Sequence, residues 1–187
     1  AGEADPLVPL NRRFGALLQA LCALPQWLIV AVEGTAMGGG FGLVCCADHV
    51  LAHTSAQFAT PEVTLGIVPA QIAPFVVRRL GPAAARRCLL TGERWDAATA
   101  QRAGLVDEVV SGDMETAVQA AIARHAAAAP QAVAATKRLL LAQPESPLSE
   151  LLDEAATAFA SALRGPEAPQ GLAAFAARKA PPWSRKP

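Results

Sequence analysis

The segment best suited to chemistry is Gly34-Thr35-Ala36-Met37-Gly38-Gly39-Gly40-Phe41-Gly42. It follows the apolar run Trp27–Val32, which reads as a buried strand, and precedes Leu43–Ala47, which reads as a helix. Three consecutive glycines between a strand and a helix strip side chains from the turn. They sit where a helix begins, among backbone N–H groups without intrahelical acceptors and at the positive end of the helix dipole. Such a turn can press amide donors against a negative oxygen, either a phosphate or an enolate-like acyl oxygen. Taken alone, the glycines serve equally well as a tight turn.

The other reactive side chains offer less. His49, His53 and His125 have no carboxylate or cysteine at metal-ligand spacing, so no metal site is expected. The four cysteines, Cys22, Cys45, Cys46 and Cys88, form no C-x-x-C pair and sit in apolar surroundings. They read as buried free thiols, which implies a reducing compartment and a cytoplasmic protein. Formal net charge is zero, which argues against nucleic acid or an anionic membrane as partner. An anionic ligand must then be held by local donors. No apolar run reaches membrane-spanning length.

The elements that must position the glycine turn can be read from periodicity and breakers. Leu7–Leu24 carries Leu10, Phe14, Leu17, Leu18 and Leu21 at helical spacing and ends at Pro25. Asp48–Ala52 and Gln57–Ala59 read as short strands, the second closed by Thr60-Pro61. Ile72–Leu80 and Ala83–Leu90 read as helices separated by Gly81-Pro82, with Thr91-Gly92 as a cap. Asp96 is a good N-cap for a helix over 97–103 that Gly104 closes. Leu105–Val110 reads as a strand. Helices follow over Met114–Ala128, Gln131–Ala142, Leu148–Leu163 and Gly171–Lys179. Strands alternate with helices first, and helices alone follow. That order predicts an α/β core over residues 1–128 and a helical region over 129–187. Only about four strands appear, few for an α/β core. Leu151, Leu152, Phe159 and Leu163 recur on the C-terminal helices and predict an apolar face covered by another subunit or by the active site.

With these motifs in hand, the chain resembles the crotonase (enoyl-CoA hydratase/isomerase) superfamily. The residues that carry the resemblance are the glycine turn, Asp48, Phe58-Ala59-Thr60-Pro61-Glu62-Val63-Thr64-Leu65-Gly66-Ile67-Val68-Pro69, Leu90-Thr91-Gly92, Ala103-Gly104-Leu105-Val106 and the ending Gly171–Lys179. The resemblance spans about residues 7–183. It implies a ββα spiral core with a helical C-terminal trimerisation region, and a homotrimer or dimer of trimers. The opening part of a typical member has no counterpart here. The expectation is that the native polypeptide contains it, with the first oxyanion-hole amide. The stretch Leu65–Val77, with Ala70-Gln71-Ile72-Ala73-Pro74 where most hydratases are glycine-rich, most resembles the isohexenylglutaconyl-CoA hydratases, relatives of methylglutaconyl-CoA hydratase.

The resemblance also assigns roles. The superfamily stabilises an enolate-like thioester by two amide donors, each worth about 3 kcal/mol. Gly39 matches the second donor and Glu62 the acid/base that serves Cα. Outside the resemblance, Glu62 is equally the first-turn acid of a helix begun by Pro61. Gly38, Gly42, Pro69, Gln71 and Ile72 fall where substrate is bound, and Phe175 and Lys179 where relatives approach CoA. For Phe175, core packing is the simpler expectation. For Lys179 and Arg178, a solvated helix end is as good a reading. The substrate is an acyl-CoA thioester, and no separate cofactor is expected.

One departure matters. Ordinary hydratases carry a second glutamate in the helix after the glycines, where this chain has Gly42. Either Glu62 then works alone, or a group elsewhere, such as Gln71, helps hold the water. A single glutamate is also what family isomerases use, so a Δ3,Δ2-enoyl-CoA isomerase is the alternative. A non-catalytic acyl-CoA-binding homologue is the third.

Overall fold

The computed structural model describes residues 5–142 and 147–184. They group into two compact units. The first holds the described residues through Cys22 together with Leu28–Val118, and the second holds Ala23–Trp27 and the described residues from Gln119 onward.

The first unit begins with α1 (Leu7–Cys22), an amphipathic helix that buries Gly15 and Leu18. There follow β1 (Ile29–Val32), β2 (Thr35–Met37), α2 (Gly39–Cys45), β3 (His49–His53) and β4 (Gln57–Ala59). A 3₁₀ turn over Pro61–Leu65 leads to α3 (Ala73–Thr91), β5 (Arg94–Asp96), α4 (Ala97–Arg102), β6 (Glu108–Val110) and α5 (Met114–His125). The six strands form two three-stranded sheets, ordered β1-β3-β6 and β2-β4-β5. Every pair is parallel except β4 with β5. Each pass of the chain lays one strand in each sheet and returns through a helix, first β1, β2 and α2, then β3, β4 and α3. This is a ββα spiral, as expected. Parallel strands covered on both faces should be apolar throughout, and Val50, Leu51 and Ala52 are all fully buried.

Two aspartates tie the first sheet together. Asp48 Oδ2 accepts from the Leu28 amide at 2.8 Å, while the Asp48 amide donates to the Leu28 carbonyl at 2.8 Å. This clamps the start of β1 to the start of β3 and gives Asp48 the structural role expected of it. Asp107 Oδ2 accepts from the Val50 amide at 2.7 Å and from Arg79 Nη2 at 2.6 Å. Arg79 also donates to the carbonyls of Ala47 and Leu105, so α3 is fastened to the ends of α2 and α4.

Several elements differ from expectation. β2 lies within the glycine-turn segment and β5 just ahead of the Asp96 cap, and both are outside the strands expected from the sequence. α2 starts at Gly39 rather than Leu43, so the glycines belong to the first turn of the helix. Ala73–Thr91 runs on as one element, but Gly81 has φ 72 and ψ 167, so the expected break at Gly81-Pro82 survives as a kink. Asp96 caps α4 by accepting from the Thr99 amide at 2.7 Å. Hydrogen bonds from Thr99 hold its carboxyl below the usual range. That contribution is present at neutral pH and is lost as pH falls through the lowered value.

In the second unit, α6 (Pro130–Ala142), α7 (Leu148–Arg164) and α8 (Glu167–Ala176) pack on one another. α8 begins at Glu167 rather than Gly171, with Pro166 just ahead of it. The Glu167 carboxylate accepts from the amides of Gln131 and Ala132 and so caps α6 from a neighbouring helix. Trp27 stacks on His125 with ring centroids 3.9 Å apart. Leu151 is buried, whereas Leu152, Phe159 and Leu163 are 60%, 69% and 50% exposed. The expected apolar face is therefore present on this unit.

The first unit's core centres on Phe41, Phe58 and Trp95, with Phe41 and Trp95 edge to face at 6.1 Å. Phe41 is fully buried at the base of the glycine helix. Replacing it with alanine should cost about 3–5 kcal/mol. Urea denaturation of Phe41→Ala checks this, and an unchanged midpoint would contradict the packing described.

Candidate active site

The glycine turn changes direction in a single residue. Gly38 has φ 52 and ψ −117, a conformation open to glycine and costly for other residues. Its amide donates to the Ala59 carbonyl at 3.0 Å, extending the β2–β4 pairing to the very start of α2. Gly39 then opens the helix, and as the first helical residue its N–H has no acceptor within it.

Glu62 is brought to this point by the end of β4. Thr60, fully buried, donates its hydroxyl to the Cys88 carbonyl at 2.8 Å and fixes the chain just ahead of Pro61. Pro61 starts the 3₁₀ turn, and Gly66 ends it in the left-handed region at φ 75. The Glu62 carbonyl accepts from the Ile67 amide at 3.0 Å, closing the loop behind it. The Glu62 side chain lies against Gly38, where a Cβ would stand 3.0 Å from Oε1. Its Oε2 is buried and has no hydrogen-bond partner among the described residues. Burying an unpaired carboxylate oxygen is costly, and a partner supplied by substrate or water would offset that cost. A carboxyl group aimed at the first turn of a glycine helix can move protons beside an oxygen that the turn stabilises.

Three glycines show how closely the neighbouring elements approach. A Cβ on Gly39 would lie 3.1 Å from Phe14 Cζ, so the α1 ring covers the helix start. A Cβ on Gly42 would overlap the Ile72 side chain and lie 3.5 Å from Leu18 Cδ1. A Cβ on Gly15 would overlap the Gln71 carboxamide. The segment carrying Gln71 and Ile72 is thus wedged against α1 and α2, and Ile72 is only 3% exposed. Pro69 is half-buried at the start of this segment, and its carbonyl accepts from the Ala73 amide.

The first unit therefore brings together Gly38, Gly39, Gly42, Glu62, Gln71 and Ile72. The space that a side chain at residue 42 would need is filled by Ile72. Phe175 and Lys179 belong to the second unit, where Phe175 is 84% exposed and so does not pack in a core. That unit also holds a cavity of about 990 Å³ lined by residues including Ala135, Leu139, Thr157, Leu172 and Trp183, and by none of the candidate site residues. Sequence reasoning missed Phe14 and Leu18 as walls of the site. The available signal was Gly15, an isolated glycine inside a helix, which often marks close packing.

Three of the four cysteines, Cys45, Cys46 and Cys88, do not add a nucleophile. Burial raises the Cys45 thiol far above its ordinary value. A hydrogen bond with Cys22, and then burial, does the same for Cys46, and burial raises Cys88. All three stay protonated near neutral pH.

The family model described as enoyl-CoA hydratase/isomerase matches residues 9–186. The chain belongs to the enoyl-CoA hydratase/isomerase family. An enoyl-CoA hydratase/isomerase of Marinobacter aquaeolei has a structure similar to this one, at 43% identity and TM-score 0.93, over 99% of this chain and 72% of that one. Pseudomonas aeruginosa AtuE is similar at 45% identity and TM-score 0.94, over 98% and 72%. By sequence, the chain is 37% identical to the carnitinyl-CoA dehydratase of Citrobacter koseri over 86% of its length, and spans 64% of that relative. It is 35% identical to the 2,3-dehydroadipyl-CoA hydratase of Escherichia coli over 96% of its length, and spans 71% of that relative.

The Gly42–Ile72 contact gives a direct test of the packing. Gly42→Glu should destabilise by about 3 kcal/mol or more, through overlap and a buried charge. Adding Ile72→Ala should restore a good part of that loss, a non-additivity visible in paired denaturation curves. Equal stability of Gly42→Glu and the parent would show that Ile72 does not fill this space.

Proposed function

We propose that this chain carries the catalytic glutamate and one oxyanion donor of an enoyl-CoA hydratase that adds water across the C2=C3 bond of a branched, glutaconyl-type enoyl-CoA. The observation that carries the reading is the Glu62 carboxylate, with its buried, unpartnered Oε2, set beside Gly38 at the start of a glycine-initiated helix. The names of the relatives support a thioester substrate, since each printed activity is a hydratase, a dehydratase or a hydratase/isomerase.

The thioester oxygen takes a hydrogen bond from the Gly39 amide, which draws electron density from C3. Glu62 accepts a proton from water as the hydroxide oxygen bonds to C3, and the π electrons move to give an enolate on the thioester oxygen. Glu62 then returns its proton to C2, and the enolate collapses to the 3-hydroxyacyl thioester. Water is consumed, and the glutamate ends as it began. The amide contributes on the order of 3 kcal/mol at the enolate stage, when the charge on oxygen is largest. Phe14 offers an apolar surface beside Gly39, Leu18 and Ile72 are buried against Gly42, and Gly42 leaves that side without a second carboxylate. An apolar wall favours bulk in the acyl chain, by about 0.8 kcal/mol per methylene buried. The isohexenylglutaconyl-type branch is the one whose Ala70–Pro74 stretch this chain resembles.

The absence of a carboxylate at Gly42 also favours a second reading. One glutamate suffices to move a proton between two carbons, so a Δ3,Δ2-enoyl-CoA isomerase fits the same geometry. The exposed apolar side chains Leu152, Phe159 and Leu163 support assembly into a homotrimer or dimer of trimers. Among the described residues, no helix is long and apolar enough to cross a membrane. Free, neutral thiols suit a reducing compartment such as the cytoplasm.

Ultraviolet absorbance of the conjugated thioester separates the readings. Hydration of a 2-enoyl-CoA removes it, isomerisation of a 3-enoyl-CoA creates it, and a non-catalytic homologue does neither. Glu62→Gln should keep the fold and thioester binding while turnover falls by about 10²–10⁴. Near-parental turnover in that variant would take Glu62 out of the mechanism.

A further inference from the structure

We propose that Arg12 and Gln71 form a subsite for a carboxylate carried at the far end of the acyl chain. This deepens the hydratase reading and rests on it. It begins from Gly15, which sits inside α1, where glycine is a poor helix former. The missing side chain leaves room for Gln71, whose carboxamide occupies the position that a Cβ would take. The same position lies 3.4 Å from Arg12 Nη1. A carboxamide and a guanidinium therefore converge on one bare patch of α1.

Gln71 serves the fold by filling the space at Gly15, but Arg12 does not. The Arg12 guanidinium is solvent-exposed, and no hydrogen bond or ion pair engages it among the described residues. A guanidinium takes a carboxylate through two parallel N–H donors. The Gln71 amide has an NH₂ that can complete the set.

Position along α1 connects the pair to the reacting end. Phe14 covers the start of α2 at Gly39, and Leu18 reaches Gly42. Gln71 in turn precedes Ile72, whose side chain fills the space at Gly42, so the pair borders the segment that packs on the glycine helix.

Guanidinium and amide groups would also accept a CoA phosphate, so the test must distinguish the two anions. Glutaryl-CoA, butyryl-CoA and CoA alone are titrated calorimetrically into the full-length protein and its Arg12→Gln, Arg12→Glu and Gln71→Ala variants. The saturated thioesters cannot be hydrated, so binding is read without turnover. Glutaryl-CoA should bind about tenfold more tightly than butyryl-CoA to the parent. Arg12→Gln should abolish that preference, Gln71→Ala should reduce it, and Arg12→Glu should reverse it. An equal loss on all three ligands would assign Arg12 to a phosphate and overturn the proposal. No loss on any ligand would leave Arg12 a solvated side chain and overturn it as well. A glutaryl preference that depends on Arg12, in a protein that hydrates no enoyl-CoA, would keep the subsite and sink the hydratase reading.

Discussion

The site depends on one packing constraint, the approach of α1 and the Ile72 side chain to a helix that begins as bare backbone. Gly39 and Gly42 offer no Cβ, and Phe14, Leu18 and Ile72 occupy the space this leaves. A well-packed interior does not tolerate an added methylene without a shift. The contact therefore shapes the site at two points. It sets the Phe14 ring on the side of Gly39 where a Cβ would stand, and it fills the space that a side chain at residue 42 would need. The departure from the two-glutamate pattern is built into the walls of the site. It cannot be undone by exchanging one side chain, because Ile72 has taken up the volume.

Around that contact, polar anchoring is confined to the supporting frame. Asp48 clamps β1 to β3, and Asp107 with Arg79 fastens the far side of the same sheet. Thr60 holds the end of β4 against α3. Each of these groups finds a partner, although Arg79 Nε is buried without one among the described residues. Glu62 Oε2 is also buried without a donor, and its carboxylate lies beside the glycine turn, where a ligand could supply one. The thiols that might have competed as reactive groups are held protonated by burial and by contact with each other.

Much of this frame could be read from the chain, and the reasons are local. Gly92 and Gly104 take positive φ at helix ends, and Asp96 caps α4, because each motif is complete within a few residues. The glycine turn and the Pro61-Glu62 pair were legible for the same reason. The start of α2 was misplaced because consecutive glycines read as a turn, whereas Gly38 alone makes the bend and the helix begins at once. β2 and β5 are not legible because they sit inside the glycine-turn and cap segments, and what makes them strands is pairing with β4 across the chain. The roles of Phe14, Leu18 and Arg12 were invisible for a deeper reason. Each depends on which face of α1 meets α2 and the Gln71 segment, a tertiary contact that no window of sequence displays. Gly15 was the single local trace of it, a residue poor for a helix and kept by close approach.

The central claim is that Glu62 and the Gly39 amide act together on the α-carbon of a thioester. Exchange of the α-protons of butyryl-CoA in D₂O, followed by proton NMR, tests it without requiring hydration or isomerisation. The protein should catalyse exchange at the α-carbon and nowhere else on the acyl chain, and Glu62→Gln should abolish it while still binding butyryl-CoA. Exchange that persists in Glu62→Gln, or a parent protein that binds butyryl-CoA and exchanges nothing, would contradict the account.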